Sequence, residues 1–163
     1  MLVRMIRPAT ILEVGTFSGY SAISMAEGLD EGGRLYTFEI NDEMEDFTRP
    51  WIEGSPVADK IEFIIGDALI EAPKLGIRFD MAFIDGDKRT YRECYEMVLS
   101  ILRSGGFILA DNTLWDGHVV DHAYDHDRQT QGIGTFNDYI VADDRVEQVI
   151  LPLRDGLTLI RKK

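Results

Sequence analysis

Cysteine is nearly absent. Cys94 is the only one among 163 residues, so no internal disulfide can form and a reducing cytoplasm is the expected setting. It falls in a helical pattern beside Tyr91, Tyr95 and Val98, which makes it a packing thiol rather than a nucleophile. No apolar run reaches the ~18 residues of a membrane span, and no secretory leader is read at the start. Basic residues are scarce: 17 Lys and Arg stand against 29 Asp and Glu, a formal charge of −12. So acidic a surface disfavours nucleic acid, whose affinity comes largely from Lys and Arg on phosphates. It favours a small-molecule substrate with a cation in the site. Internal repeats, low-complexity tracts and domain linkers are all missing. What is left, 45% hydrophobic and 28% charged, is the makeup of one globular domain over residues 1–163.

The chain is organised around Ile11–Ser21, ILEVGTFSGYS. A short apolar run breaks into glycine, small polar residues and a second glycine, and a helical pattern begins at Ser18 or Ser21. Strand, glycine turn and helix make the nucleotide-binding edge of an open α/β sheet. Gly15 lets a ligand approach bare backbone, and Gly19 lets the helix start tight against the strand. The spacing is Gly-x-x-x-Gly, so the G-x-G-x-x-G dinucleotide fingerprint is absent. Taken alone, the stretch is also compatible with an ordinary tight turn. Glu13 before the first glycine and Glu39 at the end of the next strand form an acidic pair. The second of these is a natural acceptor for ribose hydroxyls.

The remaining chain alternates strands and helices. Met1–Thr10 reads as a lead-in closed by Pro8, Ile11–Val14 as strand and Ser18–Leu29 as helix. Arg34–Ile40 is the second strand, followed by a helix capped at Asn41 or Asp42 and running to about Gly54. Lys60–Ile65 is the third, with a short helix to Leu75. Phe79–Ile84, nearly all apolar, suits a central parallel strand. Arg89–Arg103 is a helix ending at Ser104-Gly105-Gly106, and Phe107–Ala110 the fifth strand. Thr113 to about Gly132 reads as a long polar loop, and Thr135–Ala142 as the last helix. Arg145–Leu151 and Leu157–Ile160 close the chain as a hairpin, so one of them must run antiparallel. Right-handed crossovers then give a mostly parallel sheet with helices on both faces.

Ligands collect beyond the carboxyl ends of such strands. Those ends carry Gly15 and Thr16, Glu39, Asp67 and Ala68, then Asp85, Asp87 and Lys88 in FIDGDK, and Asp111 and Asn112 in ILADNTLW. Asp85, Asp111 and Asn112 offer two carboxylates and an amide oxygen, the donors a hard cation such as Mg²⁺ takes. The set holds no imidazole or thiolate, which disfavours zinc. Singly, Asp85 or Asp87 could cap the helix at Arg89, and Asp111-Asn112 could be a turn. Together, beside a cofactor turn, they point to a metal. His118, His122 and His126 recur every four residues. On a helix they would share a face and could bind a transition metal; the surrounding Asp residues and Gly117 favour a polar loop instead. Tyr91, Tyr95 and Phe136 read as core.

Glu13–Ser21 (EVGTFSGYS), Phe83–Lys88 (FIDGDK) and Asp111–Trp115 (DNTLW) resemble the cation-dependent O-methyltransferases of the caffeoyl-CoA and catechol type. Asp155–Leu159 resembles that family's closing strand, and the match spans Ile11 to Arg161. The resemblance implies a Rossmann-like S-adenosylmethionine-dependent methyltransferase fold, a mostly parallel seven-stranded sheet with an antiparallel C-terminal hairpin strand. It implies that Glu13, Gly15, Thr16, Phe17, Gly19, Ser21, Glu39, Asp67, Ala68 and Asp85 hold S-adenosylmethionine, with Glu39 on the ribose and Asp67-Ala68 at the adenine. Asp85, Asp111 and Asn112 fall on the metal ligands, for Mg²⁺ first and Mn²⁺ or Ca²⁺ as alternatives. Lys88 falls on a lysine thought to act as base, although a solvated lysine at a helix start is the plain alternative. Trp115 and Asp116 fall on the substrate side, where plant members have Asn in place of Asp116.

The implied chemistry has two vicinal hydroxyls of a phenolic small molecule chelating the cation, one of them losing its proton, and the phenolate attacking the methyl carbon in line. Orientation of this quality contributes ~7–11 kcal/mol. A soluble cytoplasmic homodimer is expected, with neither nucleic acid nor membrane as partner. Family members begin with several helices before the glycine strand, whereas ten residues precede Ile11 here. The N-terminal helices are therefore expected to be absent, leaving apolar surface open. Two rivals follow: a cofactor-binding module impaired in turnover, and a nucleic-acid methyltransferase, which the charge disfavours.

Overall fold

In the computed structural model, which describes residues 1–163, a seven-stranded sheet runs through the molecule. Its strands are β1 (Thr10–Val14), β2 (Arg34–Glu39), β3 (Ile61–Ile65), β4 (Phe79–Ile84), β5 (Leu102–Asp111), β6 (Val146–Leu151) and β7 (Leu157–Lys162). Their order is β3-β2-β1-β4-β5-β7-β6. Pairing is parallel from β3 through β5, while β7 runs antiparallel to both β5 and β6. The hairpin strand that must reverse is thus β7, and it enters the sheet between β5 and β6. The parallel strands are apolar because they are buried between layers, as strands of such sheets are. In β4 the residues Phe79, Met81, Ala82 and Ile84 are all fully buried.

Six helices accompany the strands: α1 (Leu2–Ile6), α2 (Tyr20–Ala26), α3 (Glu45–Glu53), α4 (Ala68–Glu71), α5 (Tyr91–Ile101) and α6 (Arg128–Val141). In α5 the buried residues Tyr91, Cys94, Tyr95, Val98 and Leu99 recur at the spacing of one helical stripe. They pack with Ile133, Phe136 and Ile140 of α6 into the larger core cluster. Phe136 meets Tyr91 and Tyr95 edge-on, with ring centroids 5.5 and 6.0 Å apart. The opposite face carries a smaller cluster built from α1, α2, α3 and strands that include β1 and β2. There α2 stands over β2 and β3, and α3 over β3. Met81 and Phe83 of β4, Leu109 of β5 and Leu157 of β7 line a cleft instead.

Several boundaries differ from the sequence reading. The lead-in contains a helical turn, α1, whose Val3 is buried against Gly28. The fifth strand begins at Leu102 rather than Phe107. Leu102 pairs with Phe79 and Phe107 with Met81, so Arg103–Gly106 bulge out of the ladder. The expected helix end at Arg103 is therefore Ile101. The polar loop after Thr113 is largely helical: short 3₁₀ turns cover Trp115–Val120 and His122–Tyr124, and α6 already begins at Arg128. Asp127 supplies the cap, its carboxylate accepting the Thr130 N–H at 2.7 Å. Gly132, where the loop was read to end, lies inside that helix, as does Gly134. Gly132 is there because the helix axis comes too close to a neighbouring turn for a side chain. A Cβ at this position would lie 2.8 Å from Arg89 Cα and closer still to the Lys88 carbonyl oxygen.

Candidate active site

The chain leaves β1 toward β2 on one side and leaves β4 toward β5 on the other. The tips of β1 and β4 therefore diverge, and such a point is where open sheets admit ligands. Two clefts meet there, one of about 700 Å³ and one of about 330 Å³, and Gly15, Phe17 and Asp85 line both. Gly15 has φ +97°, and a Cβ on it would lie 2.6 Å from the Asp85 carbonyl oxygen. Only glycine lets the β1 turn and the β4 tip approach this closely.

The residues expected to hold a cofactor divide between the two clefts. Thr16 and Ser21 line the larger one, and Glu39, Asp67 and Ala68 the smaller. Glu39 is fixed in place, one carboxylate oxygen accepting the Phe17 N–H and the other the Asn41 N–H, each at 2.9 Å. Asp67 caps α4 by accepting the Leu69 N–H at 2.9 Å. Gly19 stands at the N-terminus of α2 against Ile52 and lines neither cleft.

Glu13 also stays out of both cleft walls. It is fully buried behind the glycine turn, where its Oε2 accepts the Thr37 hydroxyl at 2.5 Å. Its Oε1 has no partner. Burial pushes this carboxyl up to about 7, against the Ser21 and Thr37 hydroxyls, with help from the nearby Asp85 charge. The native state thus holds a proton that the unfolded chain releases near 4.5, so stability falls as pH rises from about 4.5 to about 7. Glu13→Gln is expected to abolish that slope. Compared by urea titration at pH 5 and pH 8, the variant should gain about 2–3 kcal/mol on the wild type over the interval.

At the tips of β4 and β5, Asp85 and Asp111 face the same larger cleft. Burial raises the Asp111 carboxyl and the Asp85 charge raises it further. The Asn112 N–H, donating to Asp111 Oδ1 at 2.8 Å, and the Lys88 charge oppose this. Asn112, third in the expected metal set, is half-buried with φ +59° and does not line the cleft. No three His, Cys, Asp or Glu side chains converge as a metal-ligand set, so the expected set has only two carboxylates and an amide to offer. Asp87 is not part of this group. It caps the 3₁₀ turn at Lys88–Thr90 and is held to about 2 by its ion pair with Arg89.

Lys88 is buried, not solvated. Its Nζ donates to Asp85 Oδ1 at 3.0 Å and to the Tyr91 hydroxyl at 2.6 Å, and its main-chain N–H donates to Gln129 Oε1 at 3.0 Å. The Tyr91 hydroxyl in turn lies 3.1 Å from the Ile84 carbonyl oxygen and 2.9 Å from that of Asp111, so its one proton serves both strand tips. Tyr91 had read as core. Its position three residues after Lys88, on the same side of a helical turn, was the available signal. Gln129 lay in the presumed loop and gave none.

Trp115 and Asp116 follow directly. The Trp115 ring sits 5.9 Å from Lys88 Nζ, and Asp116 is exposed, its N–H donating to Asp155. Both have positive φ, as do Asn112, Phe17 and Arg154. Backbone strain thus gathers around this cleft, as it does at functional sites. The histidines share no helix face. His118 stacks on Tyr124 with centroids 3.5 Å apart, and His122 pairs with Asp125 at 3.2 Å. Cys94 is buried, and its thiol is pushed up to about 11 by that burial.

Comparison with known proteins gives the family. A family model described as O-methyltransferase matches residues 1–163. A caffeoyl-CoA O-methyltransferase of Zea mays is 37% identical, covering 99% of this chain and 67% of its own length. A caffeoyl-CoA O-methyltransferase of Mesembryanthemum crystallinum is 36% identical, covering 99% of this chain and 68% of its own. The chain thus spans about two thirds of the length of these curated relatives. Among solved structures, an O-methyltransferase of Bacillus cereus in complex with SAH superposes with a TM-score of 0.91 at 34% identity, covering 99% of this chain and 77% of that one. TomG of Streptomyces achromogenes, solved with SAM, gives 0.90 at 30% identity, covering 99% and 76%. With its strand order, its glycine turn and the acidic tips of β4 and β5, the chain belongs to the O-methyltransferase family that includes the caffeoyl-CoA O-methyltransferases.

Proposed function

We propose that this chain transfers the methyl group of S-adenosylmethionine to a hydroxyl of a vicinal dihydroxy aromatic, with a divalent cation, Mg²⁺ first, in the site. The observation that carries this is the position of Asp85 and Asp111. Two carboxylates on neighbouring strand tips look into one cleft beside the glycine turn, and the Asp85 charge opposes ionisation of Asp111. The residues fit both groups. The Gly15 turn is a cradle that any side chain would fill, and Asp111 sits in an electrostatic deficit that a dication relieves. Asp85, Asp111 and Asn112 would hold the cation, which when bound supplies Lewis acidity toward the acceptor oxygens. Glu39 presents a fixed carboxylate to a ribose diol, and Gly15 and Thr16 present backbone and hydroxyl to the rest of the donor.

Lys88 has two tasks open to it. Its ammonium orients Asp85, and a deprotonated amine at Nζ can take the acceptor's proton. Trp115 shields Nζ on the acceptor side. Vicinal diphenols are expected to be methylated and their mono-hydroxy analogues to be poor acceptors, with activity lost on chelation and restored by Mg²⁺. Calorimetry in parallel separates an inert module from an enzyme: S-adenosylmethionine bound with heat, but no diphenol methylated at any metal concentration, would overturn the catalytic reading.

A further inference from the structure

The larger cleft holds one basic side chain, Arg154. Six arginines pair with carboxylates, whereas Arg154, like Arg4, Arg34, Arg78, Arg92 and Arg128, pairs with none. Arg154 has no ion pair and no side-chain hydrogen bond. The side chain is exposed, but the backbone next to it is held. The turn that carries it is tied to the segment after Asp111 by the Thr113 N–H on the Gly156 carbonyl at 3.1 Å and the Leu114 N–H on the Asp155 carbonyl at 2.9 Å. A third bond runs from the Asp116 N–H to the Asp155 carboxylate. Arg154 itself has φ +49°, a conformation L-residues avoid and glycine takes freely. A long cation in a glycine-favouring conformation, unpaired and facing an apolar cleft, is the kind of strained feature that marks a functional position.

The lining of the cleft carries both signs of charge. Asp85, Asp111 and Arg154 share it with the apolar Phe83, Leu109, Leu153 and Leu157. An aromatic diol directed at the carboxylates would lay its ring on these apolar side chains. We propose that Arg154 is an acceptor subsite for a carboxylate carried on the ring substituent, so that the natural acceptor is an acidic catechol. This rests on the methyl-transfer reading above. A guanidinium recognises a carboxylate through a two-pronged, charge-assisted hydrogen bond that neither an ester nor an amine can match.

The test compares three vicinal diols: a dihydroxycinnamic acid, its methyl ester and a dihydroxyphenethylamine. With wild type, kcat/KM for the acid is expected to exceed that for the ester and the amine by about tenfold or more. Arg154→Gly suits the backbone conformation and so preserves the fold. It should bring the acid-to-ester ratio close to one, mainly through KM. Arg154→Lys should keep part of the preference, and Arg154→Glu should turn it toward the amine. An unchanged ratio in Arg154→Gly, with all three diols still methylated, overturns the subsite and leaves the methyl-transfer reading standing. Failure of wild type to methylate any diol removes that reading, and the subsite with it.

Discussion

Replacing Asp111 by asparagine is expected to reduce methyl transfer by about 10²–10³-fold while raising the melting temperature of the metal-free protein. Asparagine keeps an oxygen that can accept the Asn112 N–H, now at 2.8 Å, and so preserves the shape of the β5 tip. It removes the charge. In the folded protein the Asp111 carboxyl is raised, first by burial and then by Asp85, so its ionised form opposes folding at neutral pH. The sign follows: a group with a raised folded-state value holds stability at low pH and loses it as pH climbs, and the neutral amide escapes that loss. A bound dication reverses the balance. Mg²⁺ should raise the melting temperature of wild type and leave that of Asp111→Asn unmoved. Full activity in the variant, still sensitive to chelator, would move the metal away from these strand tips.

Gly132→Ala is expected to destabilise the fold and to lower kcat. Alanine is the better helix former by about 1 kcal/mol, so on propensity alone the change would help. Space decides the other way. The new methyl would meet Arg89 Cα at 2.8 Å and press harder still on the Lys88 carbonyl, both of them backbone. Overpacking of this kind costs about 1–3 kcal/mol, and α6 has to shift away from the turn that positions Lys88. At this chain length each kcal/mol lowers the melting temperature by about 2–4 °C. Gln129, which receives the Lys88 N–H, and Phe136, which meets Tyr91, would move with the helix. Gly134→Ala is the matched control, since a Cβ there meets nothing within 4 Å and the substitution should be neutral or mildly stabilising. Equal behaviour of the two variants would show that α6 does not press on Lys88.

The parallel centre of the fold was legible because its signals are local. An unbroken apolar run in β4, a strand breaking at Gly15, and Asp or Glu at successive strand ends all sit within a few residues of each other. Asp85 and Asp111 could be placed at one site from strand order alone. Features that depend on distant packing were hidden. Gly132 reads as a helix breaker until the Lys88 turn is seen beside it. Arg103–Gly106 reads as the end of a helix, because a bulge inside a strand carries the same glycine signature as a turn. Glu13 was read as an acidic residue beside the glycine turn, and its sequence position did not show that its carboxylate is buried beside Thr37. The spacing of Tyr91 from Lys88 hints at their contact, but no spacing in the sequence reports the bonds from Tyr91 to the main chain of β4 and β5.

The Tyr91 hydroxyl makes the two halves of the cleft mechanically inseparable. One phenolic proton is shared between main-chain oxygens of β4 and β5, and the same oxygen anchors an ammonium. Prising the carboxylates apart would therefore break the lysine's mooring in the same motion. The pocket's width and the aim of its basic nitrogen form a single degree of freedom, and a loosened enzyme would lose both at once.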